Sequence, residues 1–243
     1  MNLQFFLYRR LCQWITCEVF LPSNLKIKLA SKYEVASFSD VFCHPFYWQV
    51  YSLISTHPKL IVDCGANCGH FSLLVESCIK VKFHASETNY ILIEPNPLLL
   101  KTLHSTLEYA GIKQRCVVKQ GLLGKTQGED YLWINDKNYL SSGLFKSPNT
   151  KRFKISYFDL AKIIGNQVVD LMKIDIEGGE YDFVRFNLSL FQQVNCLFME
   201  IHQMARESQN DLISSLESLG FHLLDKIIQK ADGSMLVILS KKS

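Results

Sequence analysis

The run IVDCGANCGH (residues 61–70) constrains this chain more than any other stretch. An apolar segment ends on a carboxylate, Asp63. The backbone then turns on Gly65 and Gly69, with Asn67 between them. Glycine suits a turn where φ must be positive, or where a ligand approaches main chain that a Cβ would block. The same grammar recurs downstream. YILIEP (90–95) ends at Glu94, VDLMKID (169–175) at Asp175, and CLFMEIH (196–202) near Glu200 and His202, while CVVK (116–119) is a further short apolar run. Between these runs the apolar residues take helical spacing: Phe71, Leu74, Val75 and Cys78 within 68–79, then Leu100, Leu103 and Leu107 between Pro97 and Gly111, then Leu212, Ile213, Leu216 and Leu219 within 207–219.

Strand alternating with helix predicts an α/β fold with right-handed crossovers and a largely parallel sheet. The carboxyl ends of parallel strands share one edge, and ligands bind in the crevice there. Acids far apart in sequence, from Asp63 to Glu200, should therefore converge. Each of them alone is as readily a helix cap. The tail differs: FHLLDKIIQ and SMLVILS flank Asp232-Gly233, which predicts an antiparallel hairpin closing the sheet. Residues 120–150 are rich in Gly, Ser, Asn and Lys with weak β character at 131–135, and read as a hairpin or loop over one edge.

A carboxylate ending the second strand of such a sheet accepts hydrogen bonds from ribose hydroxyls, and Glu94 stands there. A dinucleotide wants G-x-G-x-x-G, whose middle glycine admits a pyrophosphate. Here Asn67 takes that place. The turn suits a nucleoside cofactor without phosphates, such as S-adenosylmethionine, better than NAD.

Composition narrows the classes further. Hydrophobic residues make up 48% and charged residues 20% of 243, with a net charge of +3 and no long Lys/Arg tract, so no nucleic-acid partner is expected. The eight cysteines include no Cys-x-x-Cys pair, and several sit in apolar runs as core residues. They point to a reducing, cytoplasmic setting rather than to disulfides. The N-terminal apolar stretch is interrupted by Arg9 and Arg10 and is too short to span a bilayer. Its spacing predicts an amphipathic helix, packed on the domain or, less simply, lying on a membrane surface through residues 1–20. Asn187-Leu-Ser189 matches a glycosylation sequon, which the expected compartment opposes.

DCGANCGHFSLL (63–74), IEPNP (93–97), DLMKIDIEGGE (170–180) and FMEIH (198–202), in that order, resemble the FkbM-type family of S-adenosylmethionine-dependent methyltransferases. The likeness runs from about residue 38 to the end, which would make 1–37 an N-terminal helical extension and 38–243 the methyltransferase domain. It implies a Rossmann-like, seven-stranded, mostly parallel sheet with an antiparallel C-terminal hairpin and helices on both faces. It also implies S-adenosyl-L-methionine as cofactor, held by Asp63, Gly65, Asn67 and Glu94, with Ala66, Gly69, Pro95 and Asp175 completing the expected set. Members typically methylate hydroxyl groups of sugars or other natural products. KVKFHASETN (80–89) departs from the family as an insertion.

For methyl transfer to a hydroxyl, His202 is the first candidate base, because its unperturbed pKa lies near neutrality. Asp175 is the second, and Glu177 and Glu180 are candidates for binding acceptor hydroxyls. The trio Asp175, Glu177 and Glu180 offers metal-ligating oxygens, but the sequence does not require a metal and none is expected. Tyr47, Trp48 and Tyr51 are placed to cover the cofactor or line the acceptor pocket. The Asp/Asn-Pro-Pro-aromatic motif of amino-group methyltransferases and the Pro-Cys pair of cytosine methylation are both missing, which leaves oxygen methylation in front. The rivals are an NAD-dependent oxidoreductase and a non-catalytic cofactor-binding interaction module.

Overall fold

The computed structural model describes residues 16–85, 87–135, 138–143, 149–228 and 232–241. The first elements are β1 (Cys17–Phe20), β2 (Lys26–Leu29), α1 (Lys32–Phe42), α2 (Pro45–Trp48) and α3 (Val50–Leu53). Then come β3 (Leu60–Cys64), α4 (His70–Phe83), β4 (Asn89–Ile93), α5 (Leu100–Tyr109) and β5 (Cys116–Lys119). A small antiparallel sheet follows, β6 (Glu129–Asn135), β7 (Asn138–Gly143) and β8 (Thr150–Ser156). The chain continues through α6 (Leu160–Ile164), β9 (Leu171–Ile174), α7 (Glu180–Phe186), α8 (Leu188–Phe191) and β10 (Cys196–Ile201). It ends with α9 (Gln209–Glu217), β11 (His222–Ile228) and β12 (Met235–Ser240).

The main sheet has seven strands in the order β11-β12-β10-β9-β3-β4-β5. All neighbours from β10 to β5 pair in parallel, whereas β12 is antiparallel to both β10 and β11. The expected terminal hairpin is present, and its second strand inserts beside β10 instead of lying at the edge. Burial explains the insertion, since every residue of MLVILS is buried while β11 is largely exposed.

Alternate residues of each strand feed two separate cores. Ile61, Leu92, Phe198 and Ile238 face α1, α4 and α5, with Phe71, Leu74, Val75, Leu103 and Leu107 packed on them. Val62, Ile93, Met172, Met199 and Val237 face α6 to α9, against Leu160, Phe183, Phe191 and Leu216. The strand order reverses between β3 and β9, and a crevice outside the carboxyl ends of these two strands is the natural ligand site of such a sheet.

Two expectations need correction. The segment before residue 38 is not purely helical: β1 and β2 form a hairpin whose Leu25, Ile27 and Leu29 are 1–3% exposed and belong to the first core. Alternation along KIKL, exposed then buried, is a strand period that a helical reading misses. Helix α1 also runs across the expected boundary at 37/38; residues 1–15, where the amphipathic helix was expected, lie outside the described residues. Second, residues 129–156 form three strands in the order β7-β6-β8, more than a hairpin or loop, over a small core of Leu122, Leu132, Ile134 and Ile155. Of the stretch 80–89, residues 80–83 form the last turn of α4, which ends where His84 takes a left-handed conformation at φ 62°, and Asn89 opens β4.

Candidate active site

The turn after β3 is tied to both neighbouring strands. Gly65 N–H and Ala66 N–H donate to the Ile93 carbonyl at 2.9 and 3.0 Å, and Asp175 N–H donates to the Cys64 carbonyl at 3.1 Å. Gly65 has φ +79°, and a Cβ there would fall 1.8 Å from the Asp175 carbonyl oxygen. Asn67 follows at φ 51°, a left-handed value that asparagine tolerates better than most residues. Gly69 packs on α5, where a Cβ would come 2.8 Å from a Leu103 methyl. Glycine is thus required at 65 by a backbone clash and favoured at 69 by a φ of +86°.

Glu94 is 4% exposed. Its carboxylate accepts from Asn67 N–H at 2.6 Å and from Asn96 N–H at 2.8 Å. Those two bonds fix its orientation and leave lone pairs for a ligand. Burial dominates its acidity and pushes its pKa up to about 7 against the two backbone hydrogen bonds. Glu94 lines a cavity together with Gly65, Asn67, Pro95, Leu99, Leu123, Leu132, Asp175 and Glu177. Its far wall comes from the small sheet through Leu132 and Gly143.

Asp63 is fully buried and lines neither this cavity nor the next. It sits in register with Lys173 on β9. Ser72 Oγ donates to its Oδ2 at 2.8 Å, and Lys173 Nζ lies 3.7 Å from its Oδ1. The lysine also reaches Asp175 at 3.2 Å and donates to the Gly65 carbonyl at 2.8 Å. Burial raises the Asp63 pKa, while the carboxylates of Asp175 and Asp63 overcome the desolvation of Lys173 and hold it protonated. Asp63 therefore acts on the turn through Lys173. Hydrophobic periodicity assigns Lys173 no role, although a lysine inside the buried run LMKI is itself a signal of an internal ion pair.

A second cavity adjoins the first. It is lined by Tyr47, Ala66, Lys173, Glu200 and His202, with Asp40 and Asp232 at its rim, and it shares Asn67, Asp175 and Glu177 with the first. Tyr47 alone of the three early aromatics lines either cavity. Trp48 and Tyr51 are 41% and 42% exposed, the first donating to the Phe42 carbonyl and the second lying under Lys82.

Glu180 lines neither cavity. It is fully buried, and its Oε1 accepts from Ile176 N–H and Gly178 N–H at 3.1 and 3.2 Å at the start of α7. The same oxygen lies 3.0 Å from His202 Nδ1, and His202 Nε2 faces Glu177 at 3.5 Å. Burial alone would lower the His202 pKa. The Glu180 hydrogen bond and the charges of Glu180, Glu177 and Asp175 outweigh it and raise the pKa to about 10. That environment moves His202 away from the near-neutral value of a free imidazole. Asp175, Glu177 and His202 present ligand atoms all within 4.8 Å of one another. Asn187 of the sequon is buried, with its amide donating to the Gly124 and Phe183 carbonyls.

A mostly parallel sheet with a buried acid on its second strand, and a ligand crevice at its switch point, defines a Rossmann-like nucleoside-cofactor enzyme. The family profile described as "Methyltransferase FkbM domain" matches residues 63–223, well over half of the chain, and the chain belongs to that family. It is an S-adenosylmethionine-dependent methyltransferase. No curated protein matches it. Among solved structures it is similar to a candidate RNA methyltransferase from Pyrococcus horikoshii, at 14% identity and TM-score 0.49 over 86% of this chain and 85% of that one. It is also similar to TrmK from M. capricolum in complex with S-adenosyl-homocysteine, at 11% identity and TM-score 0.48 over 82% and 69%. A third is the mitomycin 7-O-methyltransferase MmcR, at 12% identity and TM-score 0.45 over 85% and 54%. Likeness at this level carries nothing about the acceptor.

Among the described residues, no helix is long and apolar enough to cross a membrane.

Proposed function

We propose that this methyltransferase acts on a hydroxyl group of a sugar, glycan or other natural product, with the cofactor in the first cavity and the acceptor in the second. One observation carries the reading: Asn67, Asp175 and Glu177 line both cavities. A group handed from one ligand to the other must cross that shared wall. The cofactor fits the first cavity by a structural criterion, since the Glu94 carboxylate is aimed by two backbone N–H groups and Asn67 Oδ1 is buried without a partner among the described residues. Glu94 would take the ribose hydroxyls, Leu99 and Leu132 would flank the base, and Asn67 and Asp175 would face the amino-acid end.

S-Adenosylmethionine supplies a methyl group on a sulfonium and keeps the electron pair of the broken S–C bond. A hydroxyl acceptor sheds its proton as the O–C bond forms, and a carboxylate within reach assists. Asp175 and Glu177 stand at the shared wall for that purpose. His202 Nε2 stands 3.5 Å from Glu177 and fixes its direction. Orientation of the acceptor oxygen in line with the methyl carbon supplies much of the acceleration.

The second cavity carries five carboxylates, Asp40, Asp175, Glu177, Glu200 and Asp232, against Lys173 and two histidines, His44 and His202, among the described residues. That balance favours a hydroxyl-rich acceptor over a phosphate-bearing one, and so speaks against nucleic acid. The described cysteines are all unpaired, which supports a reducing, cytoplasmic setting.

Calorimetric titration with S-adenosylmethionine and with NAD tests the cofactor half. A screen of sugars, glycans and small alcohols with labelled methyl donor tests the acceptor half. Label appearing only in RNA or in amines would overturn hydroxyl methylation.

A further inference from the structure

The acids that follow β9 meet a histidine from the end of β10. Asp175 and Glu177 come from one turn, His202 from the neighbouring strand, and their ligand atoms lie within 4.8 Å of one another. All three line the second cavity. We propose that Asp175, Glu177 and His202 form a site for one divalent metal ion, of the Mn²⁺ or Mg²⁺ kind, that binds the acceptor's hydroxyl oxygen.

The chemistry of the donor set supports this. Two carboxylates and one imidazole make a mixed oxygen and nitrogen set suited to a hard or borderline ion. Three protein ligands would leave coordination positions open for an acceptor. A vicinal diol, common in sugars, would fill two of them.

A second observation lies behind the cluster. Metal-ligating histidines usually direct their other ring nitrogen at a carboxylate, which fixes ring orientation. Glu180 provides that carboxylate from a fully buried position, 3.0 Å from His202 Nδ1, so that Nε2 is the nitrogen turned toward Glu177. The remaining oxygen of Glu180 is buried without a hydrogen-bond partner among the described residues. Two backbone N–H groups, of Ile176 and Gly178, hold the same Glu180 oxygen in place, so the ring is oriented by a carboxylate that is itself fixed.

Glu177 is suited to the role in another way. It is the half-exposed member, at 48% side-chain exposure, and can close on an ion without disturbing the core. Lys173 occupies Oδ2 of Asp175 at 3.2 Å, which leaves the other carboxylate oxygen to the ion. The ion's part in the reaction would be to lower the pKa of the coordinated hydroxyl, after which the proton passes to water or to a neighbouring carboxylate and the oxygen takes the methyl group.

This rests on the second cavity being the acceptor side, and the test separates the two readings. Protein freed of metal with a chelator is titrated with Mn²⁺, followed by electron paramagnetic resonance and calorimetry, and in parallel with S-adenosyl-homocysteine. One Mn²⁺ per chain is expected, displaced by excess Mg²⁺. Glu177→Gln and His202→Gln should each weaken Mn²⁺ binding at least tenfold. Glu180→Gln, which touches no ion, should weaken it about tenfold through the lost orientation of the ring. S-Adenosyl-homocysteine binding with no Mn²⁺ binding up to millimolar concentration would overturn the metal site and leave the methyltransferase reading standing. Mn²⁺ binding that is unaltered in Glu177→Gln and His202→Gln would overturn it equally, since the ion would then sit elsewhere. Failure to bind S-adenosyl-homocysteine would instead remove the assignment of the first cavity.

Discussion

Gly65 meets the carbonyl oxygen of Asp175 so closely that a methyl group at position 65 would lie 1.8 Å from it. Two strand ends are thereby locked together, and the turn that faces the cofactor has no room to relax. Gly65→Ala must both push that carbonyl aside and hold alanine at φ +79°. We expect it to fold, with a lowered melting temperature, and to bind S-adenosyl-homocysteine at least tenfold more weakly by calorimetry. Wild-type affinity would show that the turn is not part of the cofactor site.

Glu94 makes cofactor binding sensitive to pH. Its folded pKa is raised to about 7, while the unfolded group titrates near its ordinary value. The folded state therefore holds the extra proton, and Glu94 weakens stability as pH rises from the ordinary carboxylate range toward 7. Binding has the opposite slope, because the charged carboxylate is the better acceptor for ribose hydroxyls. Affinity for S-adenosyl-homocysteine should fall as pH drops below 7, by up to about tenfold per unit. Calorimetry in buffers of different ionisation enthalpy should detect proton release on binding at pH 6.5 but much less at pH 8.5. Glu94→Gln should bind weakly at every pH and lose the difference; a wild-type profile in that variant would remove Glu94 as the ribose ligand.

The strand ends were legible because hydrophobic runs that stop on acids are set by one local rule. Asp63, Glu94 and Asp175 do gather at the edge that β3, β4 and β9 share. Which of them faces a cavity was not legible. Asp63 and Lys173 are paired across strands separated by more than a hundred residues of sequence, and only the parallel register shows that this acid is spent on a lysine. The roles of His202 and Glu180 were likewise a matter of environment: two residues read as facing the acceptor became a histidine in the cavity and a buried carboxylate behind it. The wall contributed by Leu132 and Gly143 comes from a segment with weak periodicity, whose small sheet is stabilised by tertiary contacts the local pattern does not carry.

Lys173 is 6% exposed and stands between two carboxylates. Removing one member of a buried ion pair leaves the other charge uncompensated, at a cost of about 3–5 kcal/mol. Lys173→Met should show a loss of that order in urea unfolding at pH 7.5. The double variant Lys173→Met with Asp63→Asn should recover part of it, because the stranded charge is then gone. If Lys173→Met alone is as stable as wild type, the pairing with Asp63 carries no weight in the fold.

Leu25, Ile27 and Leu29 are each at most 3% exposed and share a core with Phe71, Leu74 and Leu107 of the main domain. The small hairpin β1–β2 is therefore one wall of that core. A chain beginning at residue 38 would expose the apolar faces of α4 and α5 and would cut α1 in two. We expect such a chain to be insoluble or to unfold at far lower urea concentration than the full chain. Ile27→Ala, a milder probe, should destabilise by about 2–5 kcal/mol as other buried large-to-small changes do. S-Adenosyl-homocysteine affinity should survive Ile27→Ala under conditions where the variant is folded, because residue 27 lines neither cavity. A stable, cofactor-binding 38–243 fragment would restore the segment before it to the status of an appendage.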